Sequence, residues 1–383
     1  MSAANQKTGM FYDWLKAYQD YPFDLPKVAD IVVRRFDAIT EEQLSESAPP
    51  FMAEGSYSTT FRIHVVGRRI IVDGNPSRHD RLDNVFGLAT LDQCFRVINS
   101  ILAEYGLPSM TRCTRVDRLQ DGSCVADGAV FQRLDCTSNF YVGQGNERAY
   151  LRSVSCQRFR HSIGYLYPDG NTCVWTPKGG EKGGRLVYPG IYNKAAEIDA
   201  HLLSKVKRKY GEDSEEFSYV KQLRDWCASV GMLRSEIKLR SEFLKRECLC
   251  YWGLFDEEKL REIQGEFLKV GDKMSLDAYD IQSISEKLIA EKICNSMQAA
   301  TRTATYAYEW MNGKQFDFNK SAVQDHRARL RQIGIDIKLP FDGSKRGSVV
   351  FFTNVREVAI THATDIPAFY RHAVAPSHLR LVA

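Results

Sequence analysis

The sequence predicts an α+β protein, in which a mainly antiparallel sheet carries packed helices and is followed by a helical C-terminal domain. Up to about residue 255, β-branched and aromatic runs alternate with short turn signals, as is typical of antiparallel strands joined by hairpins. Single helical stretches interrupt these runs. From about residue 256 the pattern changes to amphipathic helix, which places a boundary near residues 256–275.

The first half of the predicted sheet contains a strand, a hairpin and a helix. The strand is expected at about residues 30–39, where β-branched residues follow a proline-broken turn. The hairpin is expected around Gly67, between two β-rich runs. Thr90 and Gln93 form a capping-box pattern, and apolar residues then recur at helical spacing, so a helix is expected from about 91 to 105.

The second half of the sheet is expected to contain a strand, a hairpin and a final strand. The first strand lies in GAVFQRLDCTSNF, and the hairpin runs from GNTCVW to IYNK. Pro189 and Gly190 are expected to interrupt the second hairpin strand, because proline cannot donate a ladder hydrogen bond. Helical periodicity over residues 195–230 is expected to stop at Gly231, before the strand MLRSEIKLR.

Composition argues against several classes of protein. The 52 Lys and Arg residues against 48 Asp and Glu residues leave a net charge of +4, so any basic surface must be local. No apolar run approaches the roughly 18 residues of a membrane span, and no secretion signal is visible, so a cytoplasmic protein without membrane contact is expected. The ten cysteines are expected to be reduced, with Cys248 and Cys250 interpreted as core residues rather than zinc ligands.

The motifs of metalloproteases, P-loop NTPases and serine hydrolases are absent, and the eight histidines form no His-hydrophobic-His pair. Charged residues instead lie within apolar strands, where period-two alternation shows which of them share a face. Arg133 and Asp135 are expected on one face together with Phe131, and Leu134 on the other. In the last strand three charged residues share a face: Arg234, Glu236 and Lys238.

Three strand carboxylates, those of Asp135, Glu236 and Asp73, could meet over one face of the sheet. Oxygen ligands of this kind suit Mg²⁺ or Mn²⁺, so a divalent metal site is one interpretation. The alternative is that each strand has an ordinary solvated face, on which these acids form cross-strand pairs with arginines.

Tyr192 is a candidate nucleophile. Alternation places it on one strand face with Tyr188, Gly190 and Lys194, and the preceding loop carries three cations: Lys178, Lys182 and Arg185. A tyrosine, a divalent ion and basic side chains suffice for strand transfer on DNA, in which the phenolate attacks a phosphodiester and the cations stabilise the developing charge. The alternative is an amphipathic core tyrosine. A second basic region follows residue 324 and contains Arg327, Arg329 and Arg331.

Six blocks of the sequence resemble the filamentous-phage gene II/gene X family of replication initiation proteins, in order and spacing over most of residues 10–255: EGSYSTTFRI, VDGNPSRHDRLDN, ILAEYGLPSMTRCT, GAVFQRLDCTSNFYVGQGNERAYL, YPDGNTCVW and YNKAAEI. More remotely, the segments RLD, IYNK and LRSE resemble motifs of staphylococcal rolling-circle plasmid initiators. This second resemblance implies that Tyr192 is the nicking nucleophile and that Asp135 and Glu236 bind the metal. Asp73 lies in a segment that resembles a further motif of those proteins.

The family resemblance implies a replication-initiator nickase fold with three regions: an N-terminal strand and linker region (1–50), a nicking domain (51–255) and a gene X-like helical domain (256–383). It implies rolling-circle initiation through a phosphotyrosine intermediate, with later rejoining and with three supporting catalytic cations: Arg133, Arg234 and Lys194. The expected partners are phage or plasmid origin DNA, host helicase and polymerase, and a second copy of the chain. Two alternatives remain: a catalytically silent origin-binding regulator and a metal-dependent nuclease that uses water.

Overall fold

A computed structural model describes most of the chain. The described residues are 9–28, 31–47, 49–54, 60–155, 157–178, 180–272, 281–311, 313–333, 335–338, 361–362 and 366–373.

The strands of the described residues are β1 (Phe11–Asp20), β2 (Val33–Phe36), β3 (Gln43–Ser47), β4 (Phe51–Glu54), β5 (Thr60–Val66), β6 (Arg69–Gly74), β7 (Val116–Arg118), β8 (Cys124–Ala126), β9 (Val130–Tyr141), β10 (Arg158–Phe159), β11 (Ser162–Leu166), β12 (Thr172–Thr176), β13 (Val187–Asn193), β14 (Met232–Arg240) and β15 (Thr361–His362). Eleven of them form one antiparallel sheet in the spatial order β10-β11-β12-β13-β14-β9-β1-β6-β5-β4, with β15 paired to the end of β9. Two further pairs, β2 with β3 and β7 with β8, are separate from it.

The helices of the described residues are α1 (Leu91–Glu104), α2 (Glu147–Val154), α3 (Lys194–Ile198), α4 (Ser204–Tyr210), α5 (Glu215–Val230), α6 (Ser241–Arg246), α7 (Glu258–Asp272), α8 (Ile281–Ala290), α9 (Met297–Met311) and α10 (Ser321–Gln332). One π-helical turn joins α3 to α4. No helix in the described part of the chain is both long and apolar enough to span a bilayer. The architecture confirms the α+β prediction.

Several local predictions are confirmed. β5 and β6 form the hairpin around Gly67. Helix α1 begins with a complete capping box, in which the Thr90 side chain accepts from the Gln93 amide and the Gln93 side chain accepts from the Thr90 amide. Gly231 ends α5 in the left-handed conformation, with φ of 62°. Cys250 is buried as expected, whereas Cys248 is exposed, so the interpretation of Cys248 as a core residue is wrong.

The sequence analysis does not predict β1, an interior strand of the sheet. β1 lies between β9 and β6, so it connects β6, β5 and β4 to the rest of the sheet. The strand expected at residues 30–39 is only the short β2, which pairs with β3 outside the large sheet. A register shift between Tyr12 and Leu15 interrupts the alternation of buried and exposed side chains in β1, so a period-two pattern does not reveal the whole strand.

Helices cover the two faces of the sheet unequally. Helices α1, α6 and α7 pack on one face, where the apolar side chains of β9 and β14 form the main core. Helices α3 to α5 cover only one end of the other face, around Met232. A bulge in the β1–β9 pair turns Phe131 into the main core, against Phe95, and leaves Arg133 on the other face. The expectation that Phe131 and Arg133 share a face is therefore wrong.

The C-terminal helices form a separate apolar cluster. Helices α8 to α10 and the residues after them bury their own core, which includes Leu288, Ala304 and Leu330. Helix α7 packs instead on the sheet, where Gln264 hydrogen-bonds the carbonyl of Ser235 at 3.3 Å. Residues 366–373 also contact the sheet unit. The division at residues 50 and 255 remains a prediction.

The turn at Gly231 offers a test of this fold. A Cβ added there would lie 2.1 Å from the Gly143 carbonyl oxygen, and the left-handed φ disfavours any side chain. Gly231→Ala is expected to lower the free energy of unfolding by about 3 kcal/mol or more, measured by urea denaturation. Gly106→Ala is the matched control, because Gly106 has a similar φ of 66° with open space around it. Equal losses for the two variants would contradict the close approach of Gly231 to Gly143.

Candidate active site

The predicted site residues of β13, β14 and β9 converge on the less covered face of the sheet. β13, β14 and β9 are neighbours, and antiparallel register places directly paired residues on the same face. Three rows cross these strands: Tyr192–Arg234–Asn139, Gly190–Glu236–Thr137 and Tyr188–Lys238–Asp135. This arrangement follows from the strand order, so it cannot be inferred from the sequence of any single strand.

Tyr192 occupies the first row. Its hydroxyl lies 3.4 Å from Oε2 of Glu236, at the long end of hydrogen-bond distance. Glu236 is paired with Gly190, which has no side chain, so the phenol of Tyr192 can lean along the strand towards the carboxylate. Burial raises the pKa of the Tyr192 phenol well above its usual value, and the positive charge of Arg234 opposes that shift. The resting phenol is therefore protonated at neutral pH.

Arg234 is fully buried next to Tyr192. Its Nε donates to Oδ1 of Asn139 at 3.0 Å, and Nη2 donates to the carbonyls of Asn84 and Val85 at 2.6 Å each. Within the described residues Nη1 is buried without a hydrogen-bond partner. An unsatisfied buried donor costs free energy, so the remaining bonds of Arg234 must compensate for this nitrogen.

Asp135 and Glu236 are diagonal neighbours on β9 and β14, where residues are about 7–8 Å apart and their Cβ atoms are somewhat closer. Arg133 binds both oxygens of Asp135, at 2.7 and 2.5 Å, and Lys238 lies 3.0 Å from Oε1 of Glu236. Burial raises the pKa of Asp135, the hydrogen bonds from Arg133 lower it, and the charge of Glu236 raises it again. The two carboxylates are thus close enough to repel each other, and each has a cation beside it.

Lys194 lies elsewhere than the alternation pattern suggested. It is the first residue of α3 rather than a residue of β13, because Asn193 caps the helix by accepting from the Ala196 amide. The ammonium group is 1% exposed and donates to Oε2 of Glu197 at 2.6 Å and to Oδ1 of Asn84 at 3.0 Å. Burial lowers its pKa, and Arg234 lowers it further.

Sequence reasoning missed Asp13, Asn75, Asn84 and Glu197. Asp13 is buried at the start of β1 and accepts from Nδ2 of Asn75 at 2.6 Å and from Nδ2 of Asn84 at 2.8 Å. Its charge, together with those of Glu197 and Glu236, favours the protonated form of Arg234. The spacing of Lys194 and Glu197 on a helix was a usable signal. Asp13 had none, since β1 itself was not anticipated.

Asp73 is not brought to the other two carboxylates. It lies on β6, two strands from Asp135 and three from Glu236, which corresponds to about 10 and 14 Å by strand spacing. Its carboxylate accepts from Nε1 of Trp14 at 2.7 Å and lies 3.6 Å from Nζ of Lys16. No group of three His, Cys, Asp or Glu side chains suited to a metal ion occurs among the described residues.

β13 continues through Pro189, so the expected interruption of this strand is wrong. The Arg240 amide donates to the Leu186 carbonyl at 3.0 Å, and hydrogen-bonded pairs recur at every second residue of an antiparallel ladder. Pro189 therefore falls at a position that makes no ladder bond to β14. Its nitrogen faces β12, whose pairing with β13 ends at Gly190. Tyr192 is consequently held in a regular strand.

The expected DNA-binding cations differ in their exposure and in whether they pair with an acidic side chain. Lys178 and Lys182 are exposed in the loop between β12 and β13, where Arg185 lies 2.7 Å from Glu242. In α10, Arg327 makes two hydrogen bonds to Asp336, at 2.6 and 2.8 Å, and Arg331 lies 3.9 Å from the same carboxylate. Arg329 is half-buried on this helix.

Comparison with known proteins assigns the chain to a family. The family model for the N-terminal part of the replication-associated gene 2 protein matches residues 11–264, and the model for the C-terminal part of that protein matches residues 288–376. The replication-associated gene 2 protein of Escherichia phage If1 is 41% identical over 324 residues, which cover 83% of this chain and 98% of that protein. No solved structure gives a significant match. The chain belongs to the family of phage replication-associated gene 2 proteins, which confirms the family predicted from the sequence.

The buried guanidinium provides a test of the site geometry. Arg234→Lys is expected to lower the free energy of unfolding by about 3 kcal/mol, because an ammonium group cannot reach Asn139 and both loop carbonyls at once. Arg185→Lys serves as the control, because that side chain is 85% exposed in its pair with Glu242. Chemical denaturation measures both variants, and a similar small loss in each would contradict the arrangement around Arg234.

Proposed function

We propose that the protein initiates rolling-circle DNA replication by nicking one strand at the origin through Tyr192. The observation that carries this proposal is the position of the Tyr192 hydroxyl, 3.4 Å from Glu236 and beside the buried cation of Arg234. Membership of a family of phage replication-associated proteins supports the replication role. A tyrosine hydroxyl beside a carboxylate and a buried cation is better explained by transesterification than by a purely structural role.

The proposed reaction exchanges one ester for another. The Tyr192 oxygen attacks the phosphorus in line, the bond from phosphorus to the 3′ oxygen breaks, and the tyrosine becomes esterified to the 5′ phosphate. Oε2 of Glu236, 3.4 Å away, accepts the phenolic proton in this proposal, and the departing 3′ oxygen takes up a proton to become a free 3′-OH. Attack by that hydroxyl in the reverse direction rejoins the strand and releases the tyrosine.

Basic side chains supply the charge that the reaction requires. Arg234 favours the phenolate electrostatically from its buried position beside Tyr192. Arg133 and Lys238 keep Asp135 and Glu236 compensated before DNA binds. Lys194 acts from the first turn of α3 as a buried positive charge near Arg234 rather than as a residue of β13.

A divalent ion fits this site through two carboxylates. Mg²⁺ is commonly held by one or two carboxylates together with substrate phosphates. The carboxylates of Asp135 and Glu236 are close enough to interact electrostatically. These two residues would hold Mg²⁺ or Mn²⁺ once phosphate oxygens complete the ligand set. When bound, the ion would neutralise developing negative charge on the phosphate.

The wider assembly follows from the proposed nick. The free 3′-OH would prime a host polymerase, a host helicase would separate the strands, and phage or plasmid origin DNA would be the substrate, all within the bacterial cytoplasm. The proposed DNA contacts are three exposed cations, Lys178, Lys182 and Arg185, and the half-buried Arg329. Arg327 and Arg331 share Asp336, so they are expected to contribute less to phosphate binding. A second protomer remains a proposed partner.

Replacement of tyrosines tests the nucleophile. Tyr192→Phe is expected to abolish nicking and the covalent adduct, because no oxygen remains to attack the phosphodiester. Tyr188→Phe is the matched control: Tyr188 lies about 13 Å away along the strand and should leave both activities largely intact. The measurement is a protein–DNA adduct that survives SDS, formed on origin DNA with Mg²⁺ and mapped by mass spectrometry.

Three outcomes separate the candidate functions. An adduct mapped to a tyrosine other than Tyr192 would overturn the assignment of the nucleophile. Nicking without any adduct would indicate a nuclease that uses water. Origin binding without nicking or adduct would indicate a catalytically silent regulator.

Isosteric replacement tests the carboxylates. Asp135→Asn and Glu236→Gln are each expected to reduce nicking at least about 100-fold while preserving origin binding, because they remove charge at the phosphate rather than DNA contacts. Asp73→Asn is the control, since Asp73 lies three strands from Glu236 and should leave the rate near that of the wild type. Rates are measured in Mg²⁺ and Mn²⁺. Wild-type nicking by either of the first two variants would show that its carboxylate is structural.

A further inference from the structure

A C-terminal segment returns to the active-site region. Residues 366–373, the C-terminal strap, pack against residues 81–86, the site loop. Phe369 contacts the ring of Tyr219, and the ring of Tyr370 packs edge-to-face on Phe86. Tyr370 is 5% exposed, so its hydroxyl is buried at the junction of strap and loop.

The Tyr370 hydroxyl is bonded on several sides. It accepts hydrogen bonds from the Arg81 guanidinium and from the Phe86 amide, the latter at 2.8 Å. Its own hydrogen has two acceptors within reach, Oδ1 of Asp83 at 3.1 Å and the Phe86 carbonyl at 3.0 Å. Arg81 also donates to the carbonyl of Arg371 at 2.9 Å, so the strap and the loop are held through both side chains and backbone.

Asp83 connects this junction to the rest of the fold. Its Oδ2 accepts from the Tyr219 hydroxyl at 2.9 Å, and its Oδ1 accepts from the Val85 amide at 2.8 Å. Asp83 is 2% exposed, so each of these donors replaces water that a buried carboxylate has lost. Without the Tyr370 hydroxyl, both Asp83 and the Phe86 amide would lose a partner in the interior.

The next residues of the site loop reach the active site. The carbonyls of Asn84 and Val85 are the acceptors for Nη2 of Arg234. The Asn84 side chain accepts from Lys194 at 3.0 Å and donates to Asp13 at 2.8 Å. The hydroxyl of Tyr370 and two cations, Arg234 and Lys194, therefore bond to the same short loop.

We propose that Tyr370 is a positioning residue for strand transfer, which holds the site loop so that Arg234 is correctly placed beside Tyr192. The inference rests on the proposed nicking function. The chain reaches this contact only after the helical unit of α8 to α10, so the C-terminal region serves the active site directly as well as any DNA that it binds. Small displacements of a positioning group reduce rates strongly, because reaction requires near-attack geometry.

The test compares two buried tyrosines in the full-length protein. Tyr370→Phe removes only the hydroxyl that holds the site loop. Tyr21→Phe is the matched control: Tyr21 is 8% exposed, and its hydroxyl lies within 3.3 Å of the carbonyls of Pro108 and Ser109. The probe is a supercoiled replicon carrying the cognate origin, with Mg²⁺. The rate of SDS-resistant adduct formation is measured in a single turnover at increasing protein concentration, together with Tm and hydrogen exchange of the Phe86 amide.

Tyr370→Phe is expected to slow adduct formation at saturation about tenfold. The concentration for half-saturation should stay unchanged, and exchange of the Phe86 amide should accelerate. Tyr21→Phe should lower Tm by a similar amount but leave the rate unchanged. Equal rates for Tyr370→Phe and the wild type, or equal slowing in both variants, would overturn the positioning role while nicking stands. Failure of the wild type to form any adduct at Tyr192 would instead overturn the proposed function, and the positioning role with it.

Discussion

The buried guanidinium of Arg234 is the constraint on which the rest of the site depends. A fully buried cation costs several kcal/mol in lost hydration unless its environment replaces the water. The fold meets this requirement with two loop carbonyls and an asparagine from the neighbouring strand. Three acids, Asp13, Glu197 and Glu236, add favourable charge. Sheet register, site loop and helix α3 must therefore all be in place before this charge can be buried.

The same requirement explains why acids and bases alternate across the sheet face. Asp135 has Arg133, Glu236 has Lys238 and Glu197 has Lys194, so most of these partly buried charges have a compensating neighbour. Such pairs contribute little net stability when they are buried, because desolvation offsets attraction. Their value lies in holding charge in fixed places, where a polyanionic substrate can exchange one partner for another without reorganising the sheet.

Sequence periodicity predicted the local parts of this arrangement. The alternation in MLRSEIKLR correctly placed Arg234, Glu236 and Lys238 on one face, because β14 is a regular strand with no bulge in its pairing. It failed at Phe131, where a bulge reverses the face, and at Lys194, where a helix begins one residue before the pattern suggested. Alternation assumes an unbroken strand, and tertiary pairing decides where strands bulge or end.

Long-range contacts lay beyond any such pattern. Asp13 meets Asn84 across 71 residues, and Tyr370 meets Asp83 across 287. Local propensity does not determine which distant segments will pack together. The positions of β1 and the C-terminal strap therefore could not be predicted from the sequence pattern. Conversely, periodicity suggested Asp73 as a third ligand. The distance between residues across a sheet depends on strand order, which periodicity does not reveal.

The C-terminal strap is synthesised late, which affects when the site loop gains its contacts. Tyr370 leaves the ribosome about 130 residues after the end of β14, which at about 5–20 residues per second is on the order of ten seconds later. During that interval a nascent chain can already pair β13 with β14, yet the site loop lacks its contact with Tyr370. Under the proposed function, competence to nick would thus be acquired late in translation.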